Sequence, residues 1–145
     1  MQQQLADVGT KTPSNVVGYL QRKPATKWAV FASGDLSTGV TPALKTAGLQ
    51  GINVIGIVPT EANLAALKSG TETAWVGYPV DILGWRMMDT LARSFEKADA
   101  AAAVNVPLPL QMVTRDNVSS VVSNNGYYTG VANYQDQYKT LWQAR

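Results

Sequence analysis

The side chains that most often carry chemistry are missing from this sequence: its 145 residues include no histidine and no cysteine. Thiolate nucleophiles, disulfide frameworks, cysteine-based zinc sites and the usual neutral-pH general base are thereby excluded. Acid and base work would fall to 10 carboxylates and 12 Lys/Arg side chains, which are scattered without paired spacing. The groups whose placement suggests contact with a ligand fall in three short segments, each directly after an apolar run. These are Ser33, Gly34 and Asp35, then Val58, Pro59, Thr60 and Glu61, then Gly77 and Tyr78. Each segment combines small residues, which let a ligand approach the backbone, with one or two hydrogen-bonding groups. That is the chemistry of non-covalent capture, so we expect a binding protein and not an enzyme. No cofactor or metal is expected. No G-x-G-x-x-G follows an apolar run, no phosphate-cradling G-x-x-x-x-G-K-[ST] occurs, and no metal-ligand cluster is readable.

Each of these residues also has a purely structural use. Asp35 follows a glycine, so its carboxylate could accept hydrogen bonds from ligand hydroxyls or pair with an amine; it could equally cap a helix starting near Leu36. Thr60 suits a helix N-cap, and Glu61, one residue on, suits the positive end of a helix dipole. The Tyr78 ring could stack on the apolar face of a small ligand while donating one hydrogen bond, or pack under its own loop.

The elements that must position these groups follow from periodicity. Val16, Val17, Tyr19 and Leu20 recur at helical spacing after Thr12-Pro13, which predicts a helix over about 13 to 22. An uninterrupted apolar run at 28–32 reads as a strand covered on both faces, and the mainly apolar stretches at 52–57 and 73–76 read as the next strands. Helical stretches ending at Gly48 and Gly70, and a longer one at about 80 to 97, alternate with them. In the long helix Leu83, Met87, Leu91 and Phe95 are expected in the core, as are Trp28 and Trp75. Pro107 and Pro109 demote the next extended segment to a sheet edge or a crossing segment. Asn124-Asn125-Gly126 predicts a turn, and Tyr134, Tyr138 and Trp142 form a docking stripe on a final helix over 133–142.

Strands alternating with helices imply right-handed crossovers and an α/β fold: an open, mainly parallel sheet with helices on both faces, Rossmann-like. In such a sheet ligands bind beyond the carboxyl ends of the strands, where the three segments fall together. We expect an α/β lobe over 1–118 and a C-terminal extension over 119–145, with its short helix packed on the same domain. The formal charge of +2 and the absence of any basic run longer than Arg22-Lys23 give no reason to expect nucleic acid as a partner. No stretch of 18 apolar residues occurs, and Met1-Gln2-Gln3-Gln4 lacks the form of a signal peptide.

The order of the motifs carries a resemblance. Phe31-Ala32-Ser33-Gly34-Asp35, Ala43-Leu44-Lys45-Thr46-Ala47-Gly48, Val54-Ile55-Gly56 and the stretch from Thr60 to Leu67 with Gly70 come first. Gly77-Tyr78-Pro79 with Gly84, Pro107-Leu108-Pro109-Leu110 and Thr114-Arg115-Asp116-Asn117-Val118 follow. Together, over about 12 to 118, they resemble the C-terminal lobe of type I periplasmic binding proteins, the ribose- and galactose-type solute receptors of ABC importers. The resemblance implies a two-lobed, non-catalytic receptor that closes on a small-molecule ligand and hands it to an ABC permease outside the cytoplasmic membrane. It also implies that this chain supplies most of one lobe as a fragment, without the lobe's first strand. The sheet edge so left open predicts a homodimer through that edge.

Measured against the family's sugar receptors, Asp35 is kept, but Gly34 replaces an Asn, Val58 an Asp and Gly77 a Gln, with Tyr78 next to it. Side-chain hydrogen bonds contribute about 0.5 to 1.5 kcal/mol each, so three losses imply a ligand less polar than, or shaped differently from, an ordinary pentose or hexose. An alternative reading is the effector-binding domain of a LacI-type regulator, which shares this fold; the basic DNA-reading segment of such regulators is not seen here.

Overall fold

The computed structural model describes residues 11–143. Helix α1 (Lys11–Arg22) leads into strand β1 (Trp28–Phe31), a short 3-10 turn at Gly34–Ser37, α2 (Val40–Thr46), β2 (Asn53–Ile57), α3 (Glu61–Ser69), β3 (Ala74–Gly77) and α4 (Val80–Phe95). A single helical turn, α5 (Ala101–Val104), precedes β4 (Gln111–Thr114); a small hairpin of β5 (Ser123–Asn124) and β6 (Tyr127–Tyr128) and the helix α6 (Tyr134–Gln143) follow.

The four main strands lie in chain order, β1-β2-β3-β4. β1, β2 and β3 are parallel and β4 returns antiparallel along β3, giving an open, mainly parallel sheet with helices on both faces. Two successive right-handed crossovers that step in the same direction place α2 and α3 on one face, and α1 packs beside α2. That face holds the main core. Ala29, Phe31, Val54, Trp75 and Val113 alternate toward it, where they meet Leu20 of α1, Val40 and Leu44 of α2, and Leu64 and Leu67 of α3. Gly56 is required there, because a Cβ on it would lie 2.5 Å from the Phe31 carbonyl oxygen and press into the Trp75 ring.

Helix ends follow their local chemistry. Gly48 and Gly70 close α2 and α3 in the left-handed region. Lys97, at φ 55, stops the long helix at Phe95. Asn125 and Gly126 both take positive φ, the backbone of a two-residue type I′ hairpin turn. The prolines at 107 and 109 precede β4, which pairs on one side only.

Two core expectations fail. Trp75 is fully buried, but Trp28 is 54% exposed, because β1 is an edge strand and Trp28 and Val30 alternate away from the main core. On α4, Met87, Leu91 and Phe95 are exposed. The buried positions there are Ile82 and Asp89, and Asp89 accepts from Arg93 Nε at 2.9 Å and Trp142 Nε1 at 3.0 Å. What turns α4 over is α6. Trp85 stacks on Trp142 at 5.4 Å and also meets Tyr138 and Tyr134, so the aromatic stripe docks inside the chain. No helix among the described residues is long and apolar enough to cross a membrane.

Candidate functional site

Because β1, β2 and β3 run parallel, the segments that leave them emerge at one end of the sheet. Backbone hydrogen bonds join them there: Gly34 N–H donates to the Val58 carbonyl and Val58 N–H to the Val76 carbonyl, both at 3.0 Å.

A buried polar network beneath fixes their spacing. Asn63 Nδ2 donates to Ser37 Oγ at 2.8 Å and to Glu72 Oε2 at 3.0 Å, and Ser37 Oγ donates to the Gly34 carbonyl at 2.7 Å. Glu72 also accepts from Trp75 Nε1 at 2.7 Å and from Thr41 Oγ1 at 3.1 Å. Ser37, Asn63 and Glu72 are all buried, and their polar groups are satisfied by one another, which makes the arrangement rigid. Thr60 is the N-cap of α3 in a reciprocal box with Asn63: its Oγ1 accepts from Asn63 N–H at 3.5 Å while its own N–H donates to Asn63 Oδ1 at 3.0 Å, and Thr60 Oγ1 also donates to Asn63 Oδ1 at 2.8 Å.

The nine residues singled out from sequence divide by this geometry. Asp35 and Tyr78, each half-buried, make no side-chain hydrogen bond to any described residue. Asp35 is therefore not a cap: the turn's N-cap is Ser33, whose side chain makes no capping bond, and only the Asp35 backbone carbonyl is engaged, by Thr38 N–H. Thr60 is committed to its cap, and Glu61 is exposed in the first turn of α3. Pro59 is buried. Val58 adopts φ 58, a left-handed backbone that a β-branched side chain strongly disfavours, at the carboxyl end of β2.

The two glycines do not open room for a ligand, as their small size suggested. A Cβ on Gly34 would lie 2.7 Å from the Val58 carbonyl oxygen and 2.8 Å from Thr60 N. A Cβ on Gly77 would lie 2.7 Å from the ring of Tyr128, which is buried and donates its hydroxyl to the Pro109 carbonyl at 2.6 Å. Both glycines are consumed by the chain's own packing.

Sequence reasoning missed Ser37, Asn63, Glu72 and Tyr128. The Thr60-x-x-Asn63 spacing was a visible signal for one of them; nothing local marks Tyr128, which reaches Gly77 from 51 residues away. The β5–β6 hairpin that carries it also crosses the start of α3, where Gly126 packs against Glu61.

Electrostatically this end of the sheet is acidic. Asp35, Glu61 and Asp81 lie in the segments that leave the parallel strands, at positions 33–37, 58–61 and 77–81, and no Lys or Arg does. Asp81 accepts from the Tyr134 hydroxyl at 3.3 Å. Among the described residues no group of three His, Cys, Asp or Glu side chains is placed to hold a metal ion.

No protein-family model and no curated protein sequence matches the chain. Solved structures do. The chain is similar to the substrate-binding protein of a sugar ABC transport system from Bordetella parapertussis 12822, with a TM-score of 0.65 and 17% identity over 81% of this chain and 39% of the other. It is also similar to a protein from Mycobacterium smegmatis, with a TM-score of 0.52 and 15% identity over 92% of this chain and 42% of the other. The chain thus spans about two fifths of the length of each structure it matches. What is shared at these identities is the fold.

Proposed function

We propose that this chain is the non-catalytic ligand-binding lobe of a two-lobed solute receptor that serves an ABC permease outside the cytoplasmic membrane. The observation that carries the reading is the pair Asp35 and Tyr78, two half-buried polar side chains without a hydrogen-bond partner among the described residues. Each follows the carboxyl end of a parallel strand, in a fold shared with a substrate-binding protein. Their loops are held by buried side chains, so the groups are set in place before a ligand arrives.

In this reading Asp35 accepts from a ligand hydroxyl or amine and Tyr78 stacks on an apolar ligand face, with Glu61 and the backbone around Pro59 at the margin. Gly34, Val58 and Gly77 supply no side-chain hydrogen bond. The ligand is therefore neutral or cationic and less polar than a free hexose, and the acidic surroundings disfavour anions. A second lobe provides the opposite wall, since burying ~70 to 90% of a small ligand takes both sides of a cleft.

The test is an amide-resolved NMR titration of the 145-residue chain with an aryl glucoside, glucose and gluconate. The aryl glucoside should shift residues 33–36, 60–61 and 78, at millimolar affinity for a half-cleft, and gluconate should shift none of them. Asp35→Asn and Tyr78→Ala should each weaken the aryl glucoside at least fivefold. Equal binding of gluconate, or shifts confined to other surfaces, overturns the reading.

A further inference from the structure

α4 inverts the usual arrangement of a surface helix. Its inward side carries Asp89, 2% exposed, and Arg86, whose buried Nε has no hydrogen-bond partner among the described residues. Its outward side carries Val80, Met87, Met88, Leu91 and Phe95, the last 84% exposed. These five recur at i, i+7, i+8, i+11 and i+15, one continuous apolar stripe. On the side of the sheet away from the main core the helices leave a second apolar area uncovered. Trp28, Val30 and Met112 are each more than half exposed, and with Ile55, Ile57 and Val76 they line a broad depression of about 1490 Å³ that runs past the edge of β1 toward α1.

We propose that each face is covered by the other in a second copy of this chain: the α4 stripe of one protomer seats on the uncovered sheet area of its partner, and the reverse. The two surfaces are of mating kinds, a helix stripe and a sheet face, and both are present once per chain, so a two-fold pairing satisfies all four and closes. Their dimensions agree. A helix of 16 residues is about 24 Å long, and a four-stranded sheet is roughly 15 to 20 Å across.

A two-fold pairing of these faces takes eight apolar residues, each about half exposed or more, out of water on both protomers, and stable interfaces bury about 1,200 to 2,000 Å² in total. None of the eleven residues of the two faces is charged; Arg22 and Lys23 stand at the α1 margin of the depression. Pairing through the edge of β1 alone would engage only the four residues Trp28–Phe31 and leave both apolar faces in water. The inference is independent of the ligand reading.

The absence of cysteine makes the test clean. Val30→Cys and Leu91→Cys change residues already at least half exposed. Mixing the two single variants, differently tagged, and adding a short bis-maleimide should link Val30→Cys chains to Leu91→Cys chains. Sedimentation should show a dimer at micromolar concentration, and Leu91→Asp should raise its dissociation constant at least tenfold. A monomer at 100 µM, a link only between two Val30→Cys chains (edge pairing), a link only between two Leu91→Cys chains, or an intrachain link in the double variant would each overturn the proposal.

Discussion

At the scale of single residues, the feature most at odds with its chemistry is Val58. A left-handed backbone costs a β-branched residue about 1 to 3 kcal/mol, and here its carbonyl must receive Gly34 N–H while its own N–H reaches the Val76 carbonyl. Those two bonds tie the three loops together, so the strain is held by the site it organises. Val58→Gly should release the strain, whereas Val58→Ala keeps most of it and loses side-chain contacts. We expect the glycine variant to be the more stable of the two by about 1 kcal/mol in urea unfolding. An alanine variant equal to or better than glycine would show that the backbone at this position is not under strain.

At the scale of elements, the loops owe their position to α3 and the hairpin, and the outer surface owes its character to α6. Asn63 joins three roles in one amide: it completes the Thr60 cap, holds Ser37, and reaches Glu72. α6 is anchored by the Trp85–Trp142 stack and the bond from Trp142 to Asp89. Removing that anchor should release the helix without unfolding the sheet, because Ile82 and Tyr134 lie outside the main core cluster. Trp142→Ala should therefore make the chain sensitive to trypsin at Lys139 at concentrations that leave residues 28–114 intact. Simultaneous loss of both regions would show that α6 and the sheet unfold as one unit.

At the scale of the whole molecule, the pH dependence of stability is set by what the chain lacks and what it buries. With no histidine, no side chain has its ordinary pKa between about 5 and 8. Burial raises the pKa of Tyr128; burial, aided by the nearby Asp81 carboxylate, raises that of Tyr134. The folded state thus holds these phenol protons more tightly than the unfolded chain does. Their contribution is complete below the ordinary phenol value of about 10 and is lost as pH rises through that value toward the raised ones. The melting temperature should be flat from pH 6 to 8 and fall above pH 10, and Tyr134→Phe should reduce that alkaline fall. A midpoint that moves between pH 6 and 8 would contradict this.

The sequence by itself determined the elements and their order. Apolar runs of strand length, Gly48 and Gly70 as helix stops, Thr60 as a cap and Asn125-Gly126 as a turn are local signals. Each acts within a few residues, and the structure places each where it was expected. The convergence of the three loops was legible too, because parallel strands joined by right-handed crossovers send those loops to one end. What only the tertiary structure decided is which side of an element faces inward and which small residues are free. The period of α4 gives an apolar stripe but not its direction, and a pairing formed far along the chain, Trp85 with Trp142, turned that stripe outward. Gly77 reads as an opening until Tyr128 fills it, and Asp35 reads as either a ligand contact or a cap until the turn leaves its carboxylate unpartnered among the described residues. The physical reason is the same in each case: backbone preference and hydrophobic period are properties of a short segment, whereas packing depends on partners that sequence distance does not reveal.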